Sequence, residues 1–281
     1  MINFVIGMAA GVGIAYLAYR VHALNRGGGI AAAILGTIVF GLAGLGWAFV
    51  LLTFFISSSG LSKFFSEQKA DAEGEFAKDS NRDAVQVIAN GGIAGMLAFL
   101  YAILSRLVPG SGLLPILWMG FAASLAGANA DTWATELGVL NPRQPILLTS
   151  FKHVPKGTSG GVSLTGSLAA LAGSGLVGGM AVLVGAFSWS PDGGLPGWIM
   201  FIIITTAGFV GSFVDSVLGA TLQAVYYCPI CNKQSEKHPA HTCGTTTVQV
   251  RGLSWLNNDW VNAACTLSAA LVGILSVIFL F

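Results

Sequence analysis

Residues 127–138 read GANADTWATELG, and they close a long apolar segment. Asp131 and Glu136 sit in that segment beside Asn129, Thr132 and Thr135. An ionisable group at the centre of a bilayer costs roughly 2.5–3.5 kcal/mol on insertion scales, so it is seldom there without a role or a partner. The arrangement recurs in GSFVDSVLGATLQ, with Asp215 and Gln223, and in NNDWVN, with Asn258, Asp259 and Asn262. Three apolar segments therefore each carry an acid with amide or hydroxyl neighbours. Together they predict a polar site inside an all-α polytopic membrane protein.

The rest of the chain supports that class. Of 281 residues, 54% are hydrophobic and 9% charged, whereas soluble chains carry about 25% charged residues. Apolar runs long enough to span a bilayer as helices recur throughout. Short alternating strand patterns are absent, which argues against a β-barrel. The 38 glycines fit close helix packing, as in GSLAALAGSGLVGG (166–179). The first helix starts at Met1 with no basic stretch before it and no evident small-residue cleavage site. It reads as a retained span and not a signal peptide, and no Arg/Ser-rich transit peptide precedes it. The expected location is a prokaryotic cytoplasmic membrane. The net charge of +1 carries no nucleic-acid signal, and no nucleic-acid partner is expected.

Eight spans are predicted, near 2–19, 29–44, 46–60, 83–105, 113–135, 159–187, 197–224 and 259–281, forming one domain over 1–281. Residues 29–60 could be one tilted helix or two helices broken near GLAGLG (41–46). Charge decides between them. With two helices, loops 20–28, 61–82, 136–158 and 225–258 share a side and hold twelve of the thirteen Lys and Arg residues, leaving Arg106 opposite. Cytoplasmic loops carry the Lys/Arg excess, so those loops are expected inside and both termini outside. The unusual polar groups then fall in the cytoplasmic half. A soluble co-substrate could meet a lipid there, whereas a carrier more often places its site at the midplane.

Several residues have chemistry to offer. Asp131 and Thr135 share a helix face, as do Thr132 and Glu136. Asp131, Asp215 and Asp259 with nearby amides make an oxygen-rich set of the kind Mg²⁺ takes together with substrate phosphates. Alternatively, loop Lys or Arg residues pair with these acids and lock the bundle. Lys152 and Lys156 lead into Gly157, Thr158, Ser159, Gly160 and Gly161. Glycines, hydroxyls and a following helix are the ingredients of a phosphate cradle, although the loop lacks the Walker A pattern. It could equally be a capped entry turn. Gln86 and Asn90 either face the same cleft or bond a neighbouring helix. Lys63 ends the third span, and the following segment reads as a solvated linker. The loop CPICNKQSEKHPAHTCG (228–244) offers Cys228, Cys231, His241 and Cys243, with His238 also nearby, as a structural Zn²⁺ set. A redox thiol pair is the alternative. Cys265 reads as packing.

The motifs SSSGLSK, QVIANGG, ANADTWATELG, VPKGTSGGVS, GSFVDSVLGATLQ and NNDWVN run in order over about 200 residues. In this they resemble the membrane family of transmembrane protein 19 and the plant and cyanobacterial phytyl-phosphate kinases. The resemblance implies a lipid-phosphate kinase that moves a phosphoryl group from a nucleoside triphosphate, CTP in this family's pattern, to a prenyl monophosphate. Asp131 with Asp215 or Asp259 would hold Mg²⁺. Lys156 and the 157–161 backbone would cradle one phosphate and Lys63 would neutralise another. Asn90, Asn129, Thr132, Thr135, Lys152, Gln223 and Asn262 would bind substrate, with Glu136 supporting. The alternatives are a CTP-dependent lipid cytidylyltransferase, or a transporter of a lipid phosphate or an ion.

Overall fold

A computed structural model describes residues 2–65, 81–188 and 195–280. Helix α1 covers Ile2–Arg20, α2 Arg26–Gly36, α3 Leu45–Phe64 and α4 Ala84–Leu107. They are followed by α5 (Leu113–Gly138), α6 (Leu164–Ser188), α7 (Gly197–Thr221) and α8 (Asn258–Leu280). Helix α2 continues as a π-helical segment, Thr37–Ala43. Gly44, at φ +108°, then breaks the chain before α3, so residues 29–60 form two helices, as the charge pattern predicts. Among the described residues, seven helical segments are long and apolar enough to cross a membrane, with Arg26–Ala43 as one of them. The apolar stretch Phe4–Arg20 in α1 is shorter.

Helix α5 is the hub. Every residue from Trp118 to Ala130 is buried, and a helix buried on all sides must be apolar or small all round. The run GFAASLAGANA (120–130) meets that demand. Its neighbours come close because they also present glycine. A Cβ at Gly208 of α7 would lie 2.8 Å from the Ala126 backbone. One at Gly273 of α8 would lie 2.7 Å from the Ala123 Cβ. Such small-residue contacts are how apolar helices associate where hydrophobic burial gives no preference. At the end far from the cleft described below, Trp47, Tyr101, Trp118 and Phe121 form a ring cluster, with Trp47 centroids 4.5–4.9 Å from the other three.

Polar caps fix where the helices begin. The Asn25 side chain accepts from Gly28 N at 2.9 Å and starts α2. Asp83 and Gln86 form a reciprocal capping box that starts α4. Asn25 N donates to Arg82 O at 3.0 Å and Arg82 N to Ala23 O at 3.2 Å. The α1–α2 turn and the entry to α4 therefore lie together. Hydrogen bonds between Ser62 and Glu136, Ser163 and Gly138, and Arg251 and Ser159 bring the remaining large loops to the same end. Ten of the twelve basic residues assigned to one side are described there. Lys69 and Lys78, with the expected linker around them, lie outside the described residues.

Two elements differ from expectation. Helix α6 begins at Leu164 and not near 159, because Gly161–Val162 forms strand β2, paired antiparallel with β1 (Ile146–Leu147). The segment after α7 carries a three-stranded antiparallel sheet of β3 (Val225–Cys228), β4 (Lys233–Ser235) and β5 (Val248–Arg251), in the order β4-β3-β5. Strands this short give no periodic signal in the sequence.

Candidate active site

A cleft of about 250 Å³ opens at the loop-bearing end. Helix α5 contributes Asp131, Thr132, Thr135 and Glu136; α7 contributes Asp215 and Ser216; α4 contributes Gln86 and Asn90. The loop Lys156–Gly161 forms one wall, and Glu236, Asn258 and Asn262 complete the lining. The i,i+4 spacing on α5 thus turns two adjacent faces toward one cavity. Helix α7 ends at Thr221, six residues beyond Asp215, so this acid is nearer the loop end than a span to 224 implied.

Asp131, Asp215 and Glu236 act on one another electrostatically. Asp215 Oδ2 is buried and has no hydrogen-bond partner among the described residues. A buried carboxylate oxygen without a partner is costly, and two further acids beside it raise the cost. A cation shared among them relieves both penalties. By donor type, hard carboxylate oxygens of this kind suit Mg²⁺.

The glycine-rich loop is wedged against the end of α7. Gly157 and Gly160 have φ +82° and +81°. A Cβ at Gly160 would lie 2.2 Å from Ala220 N, and one at Gly219 would lie 2.9 Å from Gly160 N. Ser159 Oγ donates to Gln223 Oε1 at 2.6 Å, and Gln223 Nε2 donates to Glu236 Oε1 at 2.7 Å. Arg251 Nη2 donates to Gly219 O at 2.7 Å and to Ser159 O at 3.3 Å. Burial lowers the Arg251 pKa, with Glu236 opposing that shift.

Four expected residues lie outside the cleft lining. Asn129 is fully buried about half a turn deeper than Asp131, where its Oδ1 accepts from Ser57 at 2.9 Å and its Nδ2 donates to Gly173 O at 2.8 Å. It ties α3 and α6 to α5. Lys63 is exposed and its ammonium donates to the Val21 carbonyl. Lys152 is exposed in the turn between β1 and β2, where its carbonyl accepts from Leu147 N at 3.0 Å. Asp259 is buried at the start of α8. Asn258 and Asn262 share the cleft face of that helix, and Asp259 is turned about 100° from it.

A second, apolar groove of about 60 Å³ runs between α1, α2, α3 and α4. It is lined by residues such as Ala15, Ala32, Leu35, Phe54 and Phe55, and it shares Arg82, Gln86 and Asn90 with the polar cleft. Arg82 lies over the Phe54 ring at 5.6 Å. Burial lowers its pKa to about 10, partly offset by Glu136, so it is cationic at neutral pH. Gly28 permits this placement, because a Cβ there would lie 2.2 Å from Arg82 O.

The family model for integral membrane protein DUF92 matches residues 9–270. The chain belongs to this family. Protein PGR of Arabidopsis thaliana is 35% identical over 276 residues, covering 95% of this chain and 94% of that protein. An uncharacterized membrane protein of Methanocaldococcus jannaschii is 28% identical, over 93% of this chain and 89% of its own length. Protein VTE6, chloroplastic, of Arabidopsis thaliana is 25% identical, over 91% of this chain and 66% of its own length. No solved structure matches. The match bears out the family to which the sequence motifs point, and it contains every residue of the cleft lining, from Ser62 to Asn262.

Within this DUF92 chain the structure adds residues that sequence reasoning missed. Glu236 sits in a hydrophilic loop, where a charged side chain reads as solvated. Ser62 and Arg251 gave no signal of their own. Arg82 lies one turn before Gln86, and its joint position in the cleft and the groove depends on its backbone bonds to the α1–α2 turn. The cysteine loop, by contrast, gathers the four residues that the sequence offers as a metal set. The ligand atoms of Cys228, Cys231, His241 and Cys243 all lie within 4.8 Å of one another. His238 instead stacks on Tyr226, with centroids 4.4 Å apart. Hydrogen bonding with Thr245 and His241 draws the Cys243 thiol down to about 5, and hydrogen bonding with Cys243 pushes Cys231 up to about 11.

Proposed function

We propose that this protein is a membrane prenyl-phosphate kinase. An oxygen of a prenyl or phytyl monophosphate attacks the γ-phosphorus of a nucleoside triphosphate, CTP by the family resemblance. The bond from that phosphorus to the β,γ-bridging oxygen breaks. The nucleoside diphosphate leaves, and the lipid becomes a diphosphate. The acceptor is an anionic oxygen, so no strong base is needed, and catalysis rests on positioning and charge neutralisation.

The observation that carries the reading is the junction between the two cavities. A polar cleft holding four acids and a glycine-rich loop continues, through Arg82, Gln86 and Asn90, into an apolar groove. This suits a substrate with an anionic head and a hydrocarbon tail. Asp131, Asp215 and Glu236 would hold Mg²⁺, which when bound neutralises the triphosphate. Backbone N–H groups of Gly157, Ser159 and Gly160 and the Lys156 ammonium would bind nucleotide phosphates, since those of Thr158 and Gly161 already donate to the Pro155 and Thr158 carbonyls. Arg82 would anchor the lipid phosphate beside the groove, and its planar group can take two phosphate oxygens at once. Thr132, Thr135 and Asn262 would orient oxygens. By the basic-residue bias the cleft faces the cytoplasm, where the nucleotide is soluble.

The test uses purified protein in lipid with Mg²⁺, CTP and a panel of prenyl monophosphates. CDP and a prenyl diphosphate forming in equal amounts is the expected result. Pyrophosphate with a CMP-lipid would make the protein a cytidylyltransferase. No turnover with any nucleotide, together with gradient-dependent lipid-phosphate flux in vesicles, would make it a transporter.

A further inference from the structure

We propose that Cys228, Cys231, His241 and Cys243 bind one zinc ion, and that this ion clamps Glu236 and Arg251 against the cleft. The geometry is that of a four-ligand site. Cys228 and Cys243 sulfurs are 3.5 Å apart, and His241 Nδ1 is 3.4 Å from the Cys243 sulfur. A tetrahedron with Zn–S bonds of about 2.3 Å has sulfur–sulfur edges of about 3.8 Å. A disulfide between Cys228 and Cys243 would use two of the four groups and leave a thiol and an imidazole gathered for no purpose. Soft thiolates with one imidazole select zinc over the hard cations that suit the neighbouring acids.

The fold around the ligands needs such a staple. Strands β3, β4 and β5 have four, three and four residues, too few to build a core of their own. Two ligands sit where β3 turns into β4. The other two lie on a tight turn closed by Gly244 N→His241 O at 2.8 Å and His241 N→Thr245 O at 2.9 Å. One ion would join the hairpin to that turn. Glu236 lies between the two ligand pairs in sequence, directly after buried Ser235, and holds Gln223. Arg251 leaves β5 opposite Val225 of β3 and holds the Ser159 and Gly219 carbonyls. The ion would therefore set the wall of the cleft without touching substrate, which makes its ligands positioning residues. Metal binding is independent of the reaction catalysed, so this proposal stands or falls apart from the kinase reading.

The full-length protein, purified in detergent without chelator, should contain one zinc per chain by mass spectrometry. Cys231→Ser and Cys243→Ser should each retain less than about a tenth of that, while Cys265→Ala retains all of it. Should the variants fold poorly, wild-type protein stripped of metal and titrated with Co²⁺ should give the spectrum of a tetrahedral thiolate site. Metal-free wild-type protein that gives no such spectrum, or a Cys228–Cys243 disulfide, would overturn the site. Hydrogen exchange before and after stripping tests the clamp. Exchange should rise at 159–161 and 219–224 as well as at 225–251. A rise confined to 225–251 would overturn the coupling to the cleft.

Discussion

Asp131, Asp215 and Glu236 bear the electrostatic load of the cleft. Asp131→Asn and Asp215→Asn keep the shape and remove a charge. Each should lower kcat by about a hundredfold or more, the size seen when one preorganised electrostatic contact is lost. Thermal unfolding should be unchanged or slightly improved, because a repulsive acid is gone. Kinetics and a melting curve on the same preparation check both. Gly160→Ala is predicted to act differently. The new Cβ would meet the Ala220 backbone at 2.2 Å in a left-handed conformation, costing about 1–3 kcal/mol of local strain. Nucleotide KM should rise while the helix content by circular dichroism stays the same. The two intramembrane acids were legible in the sequence because charge is rare in apolar helices. Asn129 was misplaced because a buried amide can serve a neighbouring helix as readily as a ligand, and only the partners Ser57 and Gly173 distinguish the two. Glu236 was invisible for the opposite reason, since a charged residue in a polar loop attracts no notice.

Helices α1 and α2 matter to the account because they wall the apolar groove. Ala32→Phe in α2 puts a ring into a space of about 60 Å³. The account predicts at least a tenfold rise in KM for long prenyl monophosphates and no change in KM for the nucleotide, measured by varying each substrate in turn. Equal effects on both would argue that the groove is not the tail site. The groove could not be read from sequence, because every span offers apolar side chains and only packing decides which leave a gap. The break before α3 was legible, because the positive-inside count distinguished two helices from one and Gly44 supplied the physical means. The late start of α6 was not, since strands of two residues leave no pattern.

The whole bundle gathers its basic loops at the cleft end. If that end faces the cytoplasm, a cysteine introduced at Ser111 in the α4–α5 turn should react with a membrane-impermeant thiol reagent added to intact cells. One introduced at Phe151 should react only after permeabilisation. The reverse pattern would invert the protein. The all-α bundle and the common end of its basic loops were legible because membrane insertion reduces topology to hydropathy and charge, although seven segments and not the expected eight are long and apolar enough to span among the described residues. What those rules leave undetermined is which loops touch, and the cleft is built from such contacts. The central claim is that this cleft transfers a phosphoryl group to a lipid phosphate. The most direct measurement is a single turnover with γ-labelled CTP and phytyl monophosphate in vesicles, run in parallel on wild type and Asp131→Asn. The account predicts that the label appears in the lipid diphosphate with wild type and is nearly absent with the variant. Label remaining in the nucleotide or emerging as pyrophosphate with wild type, or transfer undiminished by the substitution, would contradict it.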